Sequence, residues 1–308
     1  MLITVGTSSS YTISLIGVDG RVAASALATS PAQITCGGLA GAVVPLPLST
    51  SNTRAYFMDS QGYVYFLAPN GQTGLATRVP SGGQIRSIFA VSPDDRRIAV
   101  VENTYSASGA ATVLYVEDLN GGTNHVQIFS EIGGSSLWPL GWHGAGNLIL
   151  AKVPSCTQGG GPFSYGPQEL HVVDPATARR LVTIGGPDCI VASAPTPAGA
   201  LCESAAIDFK VYDWNGNLIK QEPSGLITQV PVYLSPNGQH VAVTDGTTTH
   251  LQYETGTIGM AVCGWIDDTH ILDGGESQHQ PRVGTIGSGN IVPVAAQGVC
   301  GGRVPGGL

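Results

Sequence analysis

Apolar positions along this chain fall in short runs of about five to seven residues, each ended by Gly, Asn, Asp or Pro; such runs predict β-strands joined by tight turns. The 3.6-residue period of an amphipathic helix is nearly absent. Two sets of turns alternate along the sequence. One set contains Asp19-Gly20, Asn70-Gly71, Asn120-Gly121, Pro175-Ala176 and Asn215-Gly216, with weaker members near Gly256 and Gly287. Asn-Gly and Asp-Gly tolerate positive φ, and so are expected to close two-residue hairpins. The other set falls near Asn52, Asp95, Gly144, Gly199, Asn237 and Asp267.

A phrase recurs inside this pattern. Ser92-Pro93-Asp94-Asp95-Arg96-Arg97-Ile98-Ala99-Val100 returns as Ser235-Pro236-Asn237-Gly238-Gln239-His240-Val241-Ala242-Val243. Looser copies stand at Leu140-Gly141-Trp142-His143 and at Cys263-Gly264-Trp265-Ile266. A repeat of this length marks an array of one supersecondary unit, and the units read as blades of a β-propeller. The second set of turns closes each blade's inner hairpin and the first set its outer hairpin. The strands at 12–17 and 21–27 form an outer pair that lacks its inner strand. Residues 298–304 would supply that strand, with Leu2 to Val5 as the second. The expectation is an all-β propeller of seven four-stranded antiparallel blades, in one domain over residues 1–308, closed by a three-plus-one exchange between the termini. Such a closure removes the exposed edge of an open array. Six blades with an appended N-terminal hairpin is the alternative.

Composition narrows the setting. Glycine accounts for 43 of 308 residues, charged residues for 11% and hydrophobic residues for 42%, which suits a folded extracellular, periplasmic or cell-surface protein of short strands. The net charge of −8 and the lack of any basic run exclude nucleic acid as a partner. No apolar run is long enough to span a membrane, Pro45 and Pro47 interrupting the best one. Met1-Leu2-Ile3-Thr4-Val5 is not a signal peptide, so the export signal is expected upstream of this sequence. Six cysteines without CxxC spacing read as disulfides; Cys189 with Cys202, on neighbouring strands of one blade, is the best single pairing, and the others stay open. A monomer is expected.

The Ser-Pro-Asp-Asp-Arg-Arg-Ile-Ala-Val phrase resembles the repeat of TolB-like and WD-repeat-like propellers, and Gly264-Trp265-Ile266-Asp267-Asp268-Thr269-His270 is similar to variants in exported bacterial propellers. The Trp-Asp dipeptides of true WD repeats are missing. The resemblance implies the fold, and with it a range of activities from peptide and sugar binding to metal-dependent lactonase and phosphotriesterase chemistry, so it selects no function.

The longest insertions fall on the face carrying the blade-to-blade loops, where propeller sites usually lie. Segment 154–167 brings Gln158, Phe163 and Tyr165; it is either a lid with an aromatic ledge or a solvated loop pinned through Cys156. Segment 102–109 brings Tyr105. These four residues are the expected ligand-binding set. The acidic and imidazole donors Glu102, Asp188, Asp273, Glu276 and His279 are the expected metal set, for Ca²⁺ or a divalent transition metal in the channel. His171, His250 and His270 read as packed or edge histidines. The Asp94-Asp95 and Asp267-Asp268 pairs read as turn residues. No G-x-S-x-G, H-E-x-x-H or P-loop occurs. The leading reading is an exported propeller binding a protein or small molecule on its loop-bearing face. The alternative is a metal-dependent hydrolase in which the ion polarises a carbonyl or phosphoryl oxygen.

Overall fold

The structure, a computed structural model, describes residues 1–5, 9–31, 34–36, 40–42, 46–106, 109–144, 146–154, 169–186, 189–203, 208–223, 231–245, 248–251, 257–275 and 279–308. Among them there is no helix, and seven antiparallel sheets stand as the blades of a ring. Blade 1 takes its innermost strand from Val299–Cys300 and then Leu2–Val5, Ser10–Ile16 and Val22–Thr29. Blade 2 is Leu48–Thr50, Ala55–Met58, Tyr63–Leu67 and Thr73–Arg78. Blade 3 is Ile85–Val91, Arg97–Ser106, Gly109–Asp118 and Val126–Gly133, with the short strand Ser81–Gly82 added beside the first. Blade 4 is Ser135–His143, Asn147–Pro154, Glu169–Val173 and Arg180–Gly185. Blade 5 is Ile190–Val191, Ala200–Glu203, Asp208–Tyr212 and Leu218–Pro223. Blade 6 is Val232–Leu234, Val241–Asp245, Thr248–Leu251 and Thr257–Ile258, and blade 7 is Gly264–Trp265, His270–Asp273, Arg282–Thr285 and Ile291–Pro293. A separate hairpin, Ile34–Cys36 with Ala40–Ala42, comes between blades 1 and 2 in the sequence, and its first strand contacts the second strand of blade 3.

Seven blades with a three-plus-one closure is the arrangement read from the repeats. Leu2 pairs with Cys300 and Ile3 with Val299. The Cys263–Cys300 disulfide then ties this inner strand to the lead-in of blade 7. Cys189–Cys202 ties the residue just before the first strand of blade 5 to the second strand, the pairing expected from sequence.

The outer hairpins are closed differently from the two-residue turns expected. Gly20, Gly71, Gly121 and Gly216 do take positive φ, 76° to 86°, but their Asp or Asn neighbours do not. The Gly20 N–H donates to Gly17 O and the Gly17 N–H to Arg21 O. This is a three-residue loop whose final glycine makes a bulge, because only one residue of the pair accepts the left-handed conformation. Separately, the fourth strand of blades 1 to 5 carries one extra residue in its pairing with the third, at Ala23, Ala76, Ile128, Leu181 and Ile219.

The repeated phrase is a clasp between blades. In both copies the serine hydroxyl donates to the side chain two residues on (Ser92 to Asp94, 2.6 Å; Ser235 to Asn237, 2.8 Å) and accepts the N–H five residues on, from Arg97 or His240, at 2.9 Å. Asp95 and Gly238 occupy the positive-φ position of the turn. The proline carbonyl accepts an N–H from the preceding blade, Asn52 for Pro93 and Ala198 for Pro236. On the other side, Arg97 and His240 lie against Trp142 and Trp265 of the following blade. Those indoles reach back to Ala90 O and Tyr233 O, at 3.0 and 3.1 Å.

Apolar side chains fill the seams in separate clusters. Trp142, Leu148 and Leu150 pack with Ala99, Val101 and Leu114 between blades 3 and 4, and Leu201, Phe209, Leu234 and Val243 pack between blades 5 and 6. Each seam buries large aliphatic groups, worth roughly 1.5–3 kcal/mol apiece, so the ring's stability is spread around its circumference. The first–second and third–fourth strand turns share one face of the ring, the turn-bearing face. The second–third and blade-to-blade connections share the other, the loop-bearing face.

Candidate functional site

On the loop-bearing side, buried polar groups touch across the seam between blades 3 and 4. Asn103 is fully buried on the second strand of blade 3. Its Oδ1 accepts from Thr112 Oγ1 at 2.8 Å, and its Nδ2 donates to Leu137 O of blade 4 at 3.4 Å. Two residues on, and so on the same face of the strand, Tyr105 is only 3% exposed. Burial pushes its phenol up, against the opposing influence of Ser136, Trp138 and the Arg86 cation. Tyr105, expected at the rim, is therefore packed inside the seam.

Outward from this bridge, the two blades part to leave a cavity of about 330 Å³. Thr112 forms part of its wall, Leu114 and Phe129 of blade 3 and Leu137, Leu150 and Val173 of blade 4 give it an apolar floor, and Glu131, Lys152, His171 and Arg180 bring charge to its edges. Strand register builds the polar side: Lys152 stands opposite Glu169, and His171 lies two residues along the same strand. His171 Nε2 is 2.8 Å from Glu169 Oε2, and Lys152 Nζ is 3.9 Å from the same oxygen. A carboxylate only accepts, so Nε2 carries a proton and donates it to Glu169. Burial is the main influence on His171 and holds its pKa below the usual imidazole value, the hydrogen bond it donates to Glu169 opposing it. Glu169 is held below the ordinary carboxylate range by the His171 hydrogen bond first, with Lys152 and Arg180 adding to it. The arrangement presents both signs of charge above an apolar floor.

A second polar cluster sits in blade 7. Asp273, 3% exposed, faces Arg282 across the second and third strands. Its Oδ2 lies 3.1 Å from both Arg282 Nη2 and His279 Nε2, and its Oδ1 accepts the Gly275 N–H at 2.9 Å. Arg282 Nη1 donates onward to Gly259 O. The structure thus brings together two of the expected metal donors, Asp273 and His279, but couples them to a guanidinium that shares their oxygen. Glu102 lies apart on blade 3, near Tyr115, whose phenol is pushed up by burial first and by the charges of Glu117 and Glu102. Among the described residues no group of three His, Cys, Asp or Glu side chains could hold a metal ion. Gln158, Phe163, Tyr165, Asp188 and Glu276 lie outside the described residues.

Sequence reading did not single out Lys152, Glu169 or Arg180. The available signal was Glu169-x-His171, two polar residues on one face of an apolar strand, which becomes a site only once Lys152 is known to stand opposite.

No protein family's profile matches the chain, and no curated protein matches it in sequence. Solved structures do. A chain of the mitotic checkpoint complex is similar with a TM-score of 0.51 and 14% identity over 82% of this chain and 77% of that one. The C-terminal WD40 domain of Sif2 gives 0.45 at 9% identity over 84% and 74%, and an oligogalacturonate lyase in complex with manganese gives 0.44 at 9% over 81% and 64%. At these identities the likeness concerns the fold alone.

Proposed function

From a seven-bladed ring with a polar, apolar-floored cleft at one seam, we propose that this chain is an exported binding module, a single propeller domain that takes a small ligand or a partner's side chains at the cleft between blades 3 and 4, which opens toward its loop-bearing face at Gly134 and Ser135 and reaches the outer turn of blade 4 at Ala178. The observation that carries this reading is the cleft itself: about 330 Å³, with Lys152, Arg180 and Glu131 able to pair with charges of either sign and the His171 ring oriented by its hydrogen bond to Glu169. Concave sites with an apolar lining and a few converging polar groups are the usual form of small-molecule sites. Two disulfides suit an oxidising compartment outside the cytoplasm. No helix among the described residues is long and apolar enough to cross a membrane.

The hydrolase reading draws less support, because Asp273, its best-placed carboxylate, already accepts from Arg282, His279 and Gly275. The test is a fragment screen by protein-observed NMR. Hits that move the amides of Thr112, Leu150 and Val173, and that weaken at least tenfold in Lys152→Ala, support the cleft. Hits confined to other seams, or none from a library of charged and zwitterionic fragments, would overturn it.

A further inference from the structure

After Cys300 the chain does not leave the ring but runs along the inner rim of the turn-bearing face. The Gly301 N–H donates to Met1 O, and the Met1 amine donates to Gly302 O at 3.0 Å. Arg303 faces the charges of Asp267 and Asp268 on blade 7. Val304 packs on the blade 1–blade 2 cluster. The Gly306 N–H donates to Ser51 O of blade 2 at 2.6 Å, and Gly307 passes Pro93 of blade 3. The Leu308 N–H donates to Trp142 O at 2.8 Å, and Leu308 O accepts from His143 Nδ1 at 2.6 Å on blade 4. The leucine side chain lies against Gly141 and joins the apolar cluster shared by blades 4 and 5.

These contacts define a recognition pattern. The rim offers two main-chain acceptors, Ser51 O and Trp142 O, one side-chain donor, His143, and a space over Gly141 that an aliphatic side chain fills. The segment must be glycine at 306, because a Cβ there would fall within 2.6 Å of the Thr50 Cβ, and Gly307 has a φ of +98°. None of the contacts at 306–308 depends on the segment being joined to Cys300. Main-chain pairing for affinity, with a pocket for one side chain, is a general mode of peptide recognition.

We propose that this rim is a peptide-recognition groove for an extended Gly-Gly-aliphatic segment of a partner protein, and that residues 304–308 hold it closed as a tethered competitor. Tethering gives the chain's own segment an effective concentration on the order of millimolar. A partner peptide therefore gains the groove only when that segment is loosened.

The experiment uses the full chain and a fluorescently labelled Val-Pro-Gly-Gly-Leu peptide read by anisotropy. The peptide binds Leu308→Ser at least tenfold more tightly than it binds the unmodified protein. Binding is lost when Gly141→Val is added to Leu308→Ser, and Val-Pro-Ala-Ala-Leu does not bind. Equal affinity for the unmodified and Leu308→Ser proteins, no binding to Leu308→Ser, or binding indifferent to Gly141→Val overturns the proposal. A second measurement needs no variant: in the unmodified protein the Gly306 and Leu308 amides exchange with deuterium at least a hundredfold faster than those of Ala99 and Val100. Exchange of all four at one rate shows that the segment never leaves without global unfolding, and also overturns it.

Discussion

The guanidinium of Arg97 lies 4.8 Å from the centre of the Trp142 ring, across the seam from blade 3 to blade 4. His240 holds the same place in the repeated phrase and stacks on Trp265 at 6.3 Å, from blade 6 to blade 7. The repetition read in the sequence is thus a repetition of joints. Each phrase grips the next blade by a ring contact, and each indole returns a hydrogen bond to the blade before it. Trp142→Phe keeps the apolar bulk but loses that bond and weakens the cation contact, so it destabilises by about 1–3 kcal/mol. In a double-mutant cycle by urea melts, Arg97→Ala with Trp142→Phe shows a coupling of roughly 0.5–1 kcal/mol. Additive costs would show that the contact carries no energy of its own.

Removing the disulfides separates their roles. Cys263–Cys300 closes a span of 37 residues and Cys189–Cys202 one of 13. Chain-entropy reasoning assigns about 4 and about 3 kcal/mol to spans of these sizes. Paired Cys→Ser variants at each site, compared by thermal melts, therefore place the closure bond as the costlier loss. The opposite order would mean that the ring is held shut mainly by its seams.

The buried Asp273 makes a metal test informative. Asp273→Asn leaves Arg282 and His279 facing a neutral group; with Arg282 about a quarter exposed, the loss is about 2 kcal/mol. Melts with and without chelator are expected to coincide within about a degree, since the carboxylate is already taken by Arg282, His279 and the Gly275 N–H. A chelator-sensitive melt would return the cluster to the metal reading.

His171 and Glu169 set a pH dependence. The folded pKa of His171 lies below its ordinary 6.5. As pH falls below 6.5, the unfolded chain gains a proton that the folded chain refuses, and stability drops. Glu169, also lowered, contributes stability that is present above 4.5 and lost as pH falls through its folded value. Urea midpoints at pH 7.5 and 5.5 should differ less in His171→Gln than in the unmodified protein. An unchanged difference would place the acid sensitivity elsewhere.

Much of the ring was legible because its joints are sequence-local. A Ser-Pro-Asp phrase makes its own turn, and glycine at a positive-φ site announces itself by type. The unpaired strand at the N-terminus even disclosed the closure. The sites were less legible for a physical reason: they are made by register and by seams. Lys152 and Glu169 are far apart in sequence and meet only because their strands pair in one register. Tyr105 reads as a loop aromatic from its neighbours, yet the approach of Ser136 and Trp138 from the next blade buries it. Asp273 and His279 read as metal donors until Arg282, placed opposite by the same hairpin, takes the carboxylate.

The Cys263–Cys300 bond also decides how the ring would respond to tension. Leu2 and Cys300 are paired at the end of the ladder from which both strands continue, so once residues 301–308 are stripped from the rim a pull on the two ends peels the ladder one bridge at a time, a mechanically soft geometry. Once those bridges part, the load passes through a covalent link into blade 7. A tethered oxidised ring would yield in a small first step and then stiffen, whereas a reduced one would unravel from its closure blade without that second resistance.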